Sequence, residues 1–600
     1  MTGEAAITMT TAGPGPLPSR QEPPSWLPPL AGALADTLPR LHGEVPHPLI
    51  SELITALTGA LEQGELELEL GGTAPAGVTA EAWPQQHLQA LKGSALSRGP
   101  DGPLVLENGS GGERLLWRRW QERRHNVLEA LLGRATAGGA PAPAAVPPQE
   151  ALAGLDNRQR QAVAAVLAHG LVLLEGGPGT GKTSTVAGMI RAVLAQNPGQ
   201  RIHLAAPTGK AAARLAGAGD GQLPCTTLHR LLESRGDGFG RHRGRPLELD
   251  LLVVDEVSMV DLALMEALLD ALPTGCRLVL VGDPAQLPPV APGPVLLELQ
   301  RPQWRRALGS AAITLETTYR NAGAIAAVAA ELRRQLEGNA GGGGHVNGEP
   351  PAGAEPQDDP LADLRPALGS LPAGANLRWL EAAGQQLPPA LIRRLQHHQR
   401  QLANLALNCR PDQPDGAAAL LAARDQLLVL SPLRQGPWGL AAIHRALLGQ
   451  SLEGSPLQWP CGTPVLCCRN LADLGLANGD VGVLIGEAGD GARRRILFGQ
   501  ADRGEPIWIH PAQLSGAAEP ALALTVHKAQ GSEADEVVVL MPQGQPRDLR
   551  LLYTALTRAR EQALLITAYR DQTYRDPEQN RSIRPDRLAN DPLRTSVGMV

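Results

Sequence analysis

Nearly continuous hydrophobic runs of a few residues alternate with stretches of helical periodicity along most of the chain. In the first half, these runs cover residues 171–174, 202–206, 251–254 and 278–281. In the second half, they cover residues 426–430, 522–525 and 536–540. Strands that are apolar on both faces are typical of parallel sheets covered by helices on each side. The pattern therefore predicts two α/β domains in tandem.

A separate helical pattern precedes these domains. Its apolar residues recur at helical spacing, and they are Leu116, Trp117, Trp120, Val127, Leu128 and Leu131. Gly133 suits the C-terminal cap of such a helix. We expect this amphipathic helix to end a small, mainly helical N-terminal domain that spans residues 1–136.

Two breaks in composition separate the patterned regions. Residues 137–150 are rich in Ala, Gly and Pro, which favour neither helix nor strand, and we interpret them as a linker. Residues 338–374 contain four consecutive glycines and clustered Pro and Asp, which predicts a disordered surface insertion. Between residues 478 and 513, short segments alternate apolar and polar residues, as in small strands.

Composition and charge narrow the class of protein. The formal net charge of the 600-residue chain is −6, so any nucleic-acid contact must be a local groove rather than a global basic field. The six cysteines form no C-x-x-C pair, which favours reduced thiols over disulfides or zinc. No stretch approaches the roughly 20 apolar residues that a membrane span requires, so we expect a cytoplasmic protein that does not contact membranes.

Lysine is very rare in this chain. Lys and Arg together number 54, but only Lys92, Lys182, Lys210 and Lys528 are lysines. Lysine should persist mainly where a compact ammonium is needed and the wider guanidinium does not fit. Three of the four lie in motif-like segments, whereas Lys92 has no such setting and is interpreted as an ordinary surface residue.

The first of these segments has the pattern of a phosphate-binding loop. It follows the run 171–174 and precedes a helical pattern, which is the strand–loop–helix context that this motif needs. Glycines let backbone amides surround phosphates at a helix N-terminus. Lys182 should reach the β- and γ-phosphates of ATP, and the Thr183 hydroxyl should bind Mg²⁺. The predicted nucleotide-binding residues of the loop are Gly176, Gly177, Pro178, Gly179, Thr180, Gly181, Lys182 and Thr183.

Polar residues follow two other predicted strands. Asp255 and Glu256 come directly after the run 251–254, where Asp255 is placed to hold Mg²⁺ and Glu256 to activate the attacking water. Gln286 follows the run 278–281 and should sense the γ-phosphate at the same sheet edge. An isolated Asp-Glu pair is usually solvated surface, but its place after an apolar strand favours the functional interpretation.

The complete set of segments resembles the motifs of superfamily 1 helicases between about residues 155 and 565. In order, they lie at residues 155–159, 206–215, 227–232, 254–258, 282–286, 318–320, 525–533 and 553–560. Within that superfamily, residues 431–439, 474–482 and 525–533 resemble the RecD type, the alpha subunit of exodeoxyribonuclease V.

This resemblance implies two RecA-like motor domains. The first would span residues 151–308 with a small insertion at about 216–248. The second would span residues 309–600 with an SH3-like β insertion at about 478–520. The resemblance also implies a 5′–3′ ATP-driven motor on single-stranded DNA that works with RecB-like and RecC-like subunits on double-stranded DNA ends. The N-terminal domain would then dock to these partners.

Individual roles follow from the same resemblance. Gln159 would read the adenine, and Arg320 and Arg558 would reach the γ-phosphate from the second motor domain. Sequence-independent contacts to the DNA strand are expected from Thr208, Lys210, His229, Thr525, His527 and Lys528. For Trp438, packing in a core and stacking on a base are equally favoured.

Three alternative functions can be compared with the sequence. A common Mg²⁺-dependent nuclease signature places an acidic residue two positions before a lysine, and no lysine here has one. Nuclease activity is therefore expected in a partner subunit. A stand-alone helicase of the same superfamily, acting without RecB and RecC, remains the alternative function. A binding module with an inactive ATPase is disfavoured by the complete set of catalytic residue types.

Overall fold

The computed structural model describes residues 27–109, 112–136, 147–217, 222–235, 238–319, 323–340, 364–372, 374–383, 386–411, 414–486, 494–499, 506–542 and 548–569. The chain divides into two compact units, one ending at Gln121 and the other beginning at Glu122. The predicted insertion at 338–374 and the linker at 137–150 lie mostly outside these ranges. Among the described helices, none is long and apolar enough to cross a bilayer.

The N-terminal unit combines helices with a small antiparallel sheet. Its helices are α1 (Leu27–Leu41), α2 (Pro48–Glu62) and α3 (Gln85–Gly93). Its strands are β1 (Glu67–Leu70), β2 (Leu104–Gly109) and β3 (Gly112–Trp117), in the order β1-β3-β2. Leu53, Leu57, Leu91 and Leu115 are fully buried in the core between helices and sheet.

The helix predicted from Leu116 differs from the one observed. It is α4 (Arg118–Thr136), which runs past Gly133, while Leu116 and Trp117 lie in β3 and pair with β2. The prediction from helical spacing therefore combined the end of strand β3 and the start of helix α4 into one helix. Strand pairing with distant residues, which no local spacing reports, determines this boundary.

The first α/β domain follows α4 in the second unit. Its helices are α5 (Asn157–Ala168), α6 (Lys182–Gln196), α7 (Gly209–Ala216), α8 (Leu228–Leu231), α9 (Leu262–Ala271), α10 (Val295–Gln300) and α11 (Pro302–Leu308). Its strands are β4 (Leu171–Gly176), β5 (Ile202–Ala206), β6 (Cys225–Thr227), β7 (Ser234–Arg235), β8 (Gly238–Phe239), β9 (Leu251–Val254), β10 (Arg277–Gly282) and β11 (Ala312–Leu315).

Six of these strands form one parallel sheet in the order β11-β4-β10-β9-β5-β6. Strands β4 and β9 are buried along their whole length, as the continuous hydrophobic runs predict. Because the strands are parallel, the loops after β4, β5, β9 and β10 meet at one edge of the sheet. The hairpin β7–β8 forms a separate two-stranded sheet within the predicted 216–248 insertion.

The second α/β domain contains the remaining described elements. Its helices are α12 (Ala324–Ala340), α13 (Arg365–Gly369), α14 (Pro389–Asn408), α15 (Pro414–Arg424), α16 (Leu440–Leu448) and α17 (Leu549–Leu556). Its strands are β12 (Leu377–Ala383), β13 (Leu427–Ser431), β14 (Pro464–Cys467), β15 (Val481–Ile485), β16 (Arg495–Phe498), β17 (Ile507–Ile509), β18 (Ala518–Pro520), β19 (Leu524–Thr525), β20 (Ala534–Met541) and β21 (Ala559–Tyr569).

Two sheets organise this domain. Strands β12-β21-β20-β13-β19 form a parallel sheet, so the predicted tandem α/β architecture is confirmed. Strands β17-β16-β15-β14-β18 form the antiparallel sheet of the insertion. The insertion begins earlier than the predicted residue 478, because β14 pairs with both β15 and β18.

Candidate active site

The loop between β4 and α6 has the backbone of a phosphate-binding loop. Gly179 and Gly181 adopt left-handed conformations, with φ of 74° and 80°, and Gly181 caps the N-terminus of α6. Lys182 Nζ donates to the carbonyl oxygens of Gly176 and Gly177 at 2.7 and 3.0 Å. The Lys182 ammonium therefore lies within the curve of the loop, while Thr183, the next residue of α6, is exposed.

Gln159 is joined to this loop by the capping of α5. Asp156 and Gln159 form a reciprocal capping box at the start of that helix. The Gln159 amide also donates from Nε2 to the Thr180 carbonyl at 3.2 Å. Gln159 is buried, and its position beside Thr180 and Gly181 is compatible with the predicted contact to a bound base.

Tyr319 lies within the 318–320 motif, and no role was predicted for it. Its amide donates to the Gly179 carbonyl at 2.8 Å, and its hydroxyl donates to Asp156 Oδ2 at 2.6 Å. Its ring is largely exposed beside the loop. The motif at 318–320 was the available signal. The predicted Arg320 follows Tyr319 directly but lies outside the described residues.

The two carboxylates after β9 are buried side by side. Glu256 has a left-handed backbone with φ of 53°, and its amide donates to Asp255 Oδ1 at 2.8 Å. Burial and the neighbouring Glu256 carboxylate raise the pKa of Asp255. Burial would also raise the pKa of Glu256, but the cations Arg214, Arg558 and Lys182 hold that pKa below its ordinary value.

Gln286 lies in a buried cluster that centres on Asp283. Its Nε2 is 3.5 Å from Asp283 Oδ2, and its Oε1 is buried without a hydrogen-bond partner in the described structure. Asp283 also accepts from Arg333 at 2.5 Å and from the Tyr553 hydroxyl at 2.7 Å. A side chain at Gly177 would meet Tyr553 Oη at 3.2 Å, so this cluster touches the phosphate-binding loop.

Arg558 reaches this cluster from the second domain. Its Nε donates to the Thr554 carbonyl at 3.1 Å, and its charge lowers the pKa of Glu256. The guanidinium is 2% exposed, and its Nη1 has no partner among the described residues. A buried donor without a partner is costly unless a ligand satisfies it.

The chemistry of this edge fits a nucleoside triphosphate. The glycine loop offers backbone donors, Lys182 and Arg558 are cationic, and Arg558 Nη1 and Gln286 Oε1 are buried polar atoms without described partners. Asp255 and Thr183 are oxygen donors of the type that Mg²⁺ prefers. Among the described residues, no group of three or more His, Cys, Asp or Glu side chains could hold a metal by itself.

Two of the predicted DNA contacts lie between the two α/β domains. Thr208 caps α7, where its hydroxyl accepts from Ala211 N at 3.3 Å, and it also lies against Gly531. Lys210 Nζ donates to Ser532 Oγ at 2.9 Å, and burial lowers its pKa to about 8. These residues hold the 531–533 segment in this structure.

The remaining predicted DNA contacts are more dispersed. Thr525 is buried and its hydroxyl accepts from Lys528 N at 3.3 Å, while Lys528 Nζ pairs with Glu519 at 2.8 Å. His527 between them is exposed. His229 lies in the 216–248 insertion, where the centroid of its ring is 6.1 Å from that of Phe239.

Trp438 lies in a core rather than on a surface available for stacking. Its side chain is fully buried in the second α/β domain, and its Nε1 donates to the Gln386 carbonyl at 3.1 Å. Of the two interpretations left open for Trp438, the structure therefore supports core packing.

Comparisons with known proteins agree with this arrangement. A family model described as AAA domain matches residues 159–292, and one described as UvrD-like helicase C-terminal domain matches residues 520–566. The RecBCD enzyme subunit RecD of Mycolicibacterium smegmatis is 36% identical over 485 residues, covering 75% of this chain and 77% of that protein. The chain belongs to the RecD family. A second RecD subunit, from Mycobacterium tuberculosis, is 35% identical over 76% of both chains.

A further relative is the ATP-dependent RecD2 DNA helicase of Deinococcus radiodurans. It is 31% identical over 74% of this RecD-family chain, which spans 53% of that longer protein.

In this RecD-family chain, the structure adds a residue that the sequence analysis missed. Arg214 lies on α7 and its guanidinium contacts Glu256 at 2.5 Å, Asp255 at 3.7 Å and Glu533 at 2.9 Å. The motif at 206–215 included Arg214, but its partners are far away in sequence. In a chain with many arginines, no local signal distinguished it from a solvated one.

Proposed function

We propose that this chain is an ATP-dependent 5′–3′ DNA helicase subunit of a RecBCD-type helicase-nuclease, which unwinds double-stranded DNA ends for recombinational repair. The observation that carries the proposal is the buried Arg558 from the second domain. Its charge lowers the pKa of the Glu256 carboxylate of the first domain, and its Nη1 has no described partner. Such a donor suits a phosphate whose charge develops during transfer between closed domains.

The roles of the remaining residues follow from their positions. Lys182 and the loop amides would bind the phosphates, and Gln159, with Tyr319 on the same side of the loop, would contact the base. The Glu256 carboxylate accepts a proton from the attacking water, because its lowered pKa keeps it ionised at neutral pH. Gln286 lies beside Asp283, from which its amide can report the γ-phosphate to the second domain.

Thr183 and Asp255 would hold Mg²⁺, which supplies charge neutralisation on the phosphates when bound.

Movement along DNA would use the contacts between the two domains. Thr208, Lys210, Thr525, His527 and Lys528 would bind backbone phosphates, which carry no sequence information. His229 would offer its ring to a base. A cleft that closes on ATP and opens after hydrolysis shifts one set of contacts relative to the other.

The partner assignment rests on relatives that are named RecBCD enzyme subunit RecD. We propose that RecB-like and RecC-like subunits bind this chain, that the N-terminal unit docks to them and that nuclease activity resides in a partner.

The Lys182→Arg variant tests the ATPase. A guanidinium is too wide for the position between the Gly176 and Gly177 carbonyls, so DNA-stimulated ATP hydrolysis should fall by about 10²-fold or more. Lys92→Arg is the matched control, because Lys92 pairs with Glu113 on the surface of the N-terminal unit. ATP hydrolysis by Lys182→Arg close to that of the wild type would contradict the assignment of the site.

A stand-alone helicase is the second candidate, favoured by the alignment with the RecD2 DNA helicase. Co-purification from the native host separates the two. Recovery with RecB-like and RecC-like chains supports the subunit, and recovery of an active helicase without them supports the alternative.

A further inference from the structure

Arg214 joins the catalytic carboxylate to the second domain. One nitrogen of its guanidinium, Nη2, donates to Glu256 Oε1 at 2.5 Å, and the other, Nη1, donates to Glu533 Oε1 at 2.9 Å. Glu256 is buried and Glu533 nearly so. A single planar fork therefore bridges the residue that activates water and a carboxylate of the other domain.

Glu533 belongs to a segment that also contacts the predicted DNA-binding residues. Next to it, Ser532 accepts from Lys210 at 2.9 Å, and Gly531, with φ of 75°, packs against Thr208. Arg214 and Lys210 both lie on α7, one turn apart. A change in the contacts of Lys210 would thus reach Glu533 through the neighbouring Ser532.

The ion pair with Arg214 opposes the catalytic use of Glu256. A guanidinium whose Nη2 lies 2.5 Å from Oε1 occupies the oxygen to which the attacking water would donate its hydrogen bond. The water cannot be held at that oxygen until the guanidinium moves away. Glu533 binds the other nitrogen of the same guanidinium, so a displacement of Glu533 would also displace the cation that contacts Glu256.

We propose that Arg214 is a positioning residue that restrains Glu256 until a DNA strand engages α7. The inference deepens the proposed function, on which it rests. A phosphate that binds Lys210 frees Ser532, the 531–533 segment shifts, and Glu533 draws the guanidinium away from Glu256. Hydrolysis is thereby limited to the DNA-bound enzyme.

The test compares ATP hydrolysis by the full chain with and without oligothymidylate. Arg214→Met removes the restraint, so the DNA-free rate should rise and the stimulation by DNA should fall by about fivefold or more. Glu533→Gln removes the charge that draws Arg214 towards the second domain, so the DNA-stimulated rate should fall by a similar factor. The double variant should behave like Arg214→Met, because Glu533, which also pairs with Arg560 at 3.6 Å, acts on Glu256 only through Arg214.

Arg201→Met is the matched control. Arg201 forms an ion pair with Asp250 at 2.9 Å, at the opposite end of strands β5 and β9 from Glu256. This exposed pair breaks in the variant, and both ATPase rates should equal those of the wild type.

Arg214→Lys separates restraint from a structural effect. Lysine keeps a cation at this position of α7, so the low DNA-free rate and the stimulation by DNA should both be restored towards those of the wild type. A damaged fold would instead lower both rates in Arg214→Met without raising the DNA-free rate.

Two results would overturn the inference. One is an unchanged ratio of DNA-stimulated to DNA-free rates in Arg214→Met, and the other is a DNA-stimulated rate of Glu533→Gln equal to that of the wild type. Failure of the proposed function is a distinct result, because the wild-type chain itself would then lack DNA-stimulated hydrolysis.

Discussion

At the scale of single residues, Glu256 combines an unusual backbone with a demanding chemical environment. Its left-handed φ of 53° is uncommon for a residue with a side chain, and its carboxylate lies among three cations. Backbone strain of this kind persists where the surrounding structure fixes a functional side chain. The left-handed backbone therefore agrees with the catalytic role proposed for Glu256. It says nothing about Asp255, whose backbone is not left-handed.

Glu256→Gln should separate binding from turnover. The amide keeps the size of the side chain but cannot accept a proton, so single-turnover hydrolysis should fall by about 10²- to 10⁴-fold. Nucleotide affinity should persist, because Asp255 and the phosphate-binding loop are unchanged. Glu248→Gln is the control, since Glu248 is exposed just before the same strand, β9. Hydrolysis that survives in Glu256→Gln would mean that another group activates the water.

His444 predicts a pH dependence of stability. Burial lowers its pKa to about 4, although a hydrogen bond from Nε2 to the Ala523 carbonyl at 3.3 Å favours the protonated ring. The unfolded chain binds the proton near pH 6.5 and the folded chain only near pH 4, so the stability is complete above pH 6.5 and is lost as the pH falls towards 4. The loss should be about 3 kcal/mol.

Urea unfolding at several pH values measures this effect. His444→Gln should flatten the pH dependence in this window, whereas His397→Gln, an exposed histidine of the same domain, should leave it unchanged. An identical pH dependence in wild type and His444→Gln would assign the titration to other groups.

At the scale of elements, the central strands were predictable and the edges were not. Strands β5 and β9 have the predicted bounds, because β9 is apolar and buried along its whole length and β5 is so except at the half-buried His203. Strands β6 and β11, at the two edges of the first sheet, were not predicted. An edge strand such as β11 alternates buried and half-buried residues, so its pattern is weak, and its pairing with β4 is set by distant sequence.

The site residues likewise divide into those that the sequence predicts and those that it does not. The phosphate-binding loop and the Asp255-Glu256 pair are contiguous in sequence, so spacing alone predicts where they lie. Arg214, Arg333 and Tyr553 each act through a partner more than forty residues away. Contacts of this length depend on sheet order, which periodicity does not report.

The segment after β10 connects the two domains. The Leu287 amide donates to Thr554 Oγ1 at 2.8 Å, and the Leu287 carbonyl accepts from Gln530 at 2.9 Å. Tyr553 donates to the buried Asp283 in the same segment. Helix α17 therefore holds the loop that carries Gln286.

Tyr553→Phe should weaken this connection. It leaves a buried carboxylate with one donor fewer, which should lower the free energy of unfolding by about 1.5–3 kcal/mol. Tyr319→Phe is a matched control, since Tyr319 also bonds an aspartate but is 59% exposed, so water replaces the lost contact. Equal losses of stability in the two variants would show that burial of the Tyr553–Asp283 bond is not what matters.

At the scale of the whole molecule, the boundary of the N-terminal unit changes how the chain can be divided. Residues 1–136 were expected to form one domain, but the compact unit ends at Gln121. Most of α4 belongs with the motor. Arg134 donates to the carbonyls of Leu272, Pro273 and Cys276, and Arg123 pairs with Glu266 at 2.8 Å.

Two truncated chains test this boundary. A chain of residues 122–600 keeps α4 except for its first four residues, whereas a chain of residues 147–600 loses the whole helix together with the buried Val127, Leu128 and Leu131. Removal of three buried aliphatic side chains should cost several kcal/mol, at about 1.5–3 kcal/mol each, and it uncovers the carbonyls that Arg134 satisfies. The longer chain should therefore retain DNA-stimulated ATP hydrolysis and the shorter chain should unfold at a lower urea concentration.

The same pair of chains addresses partner docking. If the N-terminal unit binds the RecB-like and RecC-like subunits, the chain of residues 122–600 should be an active ATPase that no longer co-elutes with them on size exclusion, while the full chain does. Loss of assembly without loss of hydrolysis assigns docking to residues before Glu122, because the motor is then intact. Co-elution of residues 122–600 with both partners would instead place the docking surface on the motor. Separately, equal stability of the two truncated chains would show that α4 does not stabilise the motor.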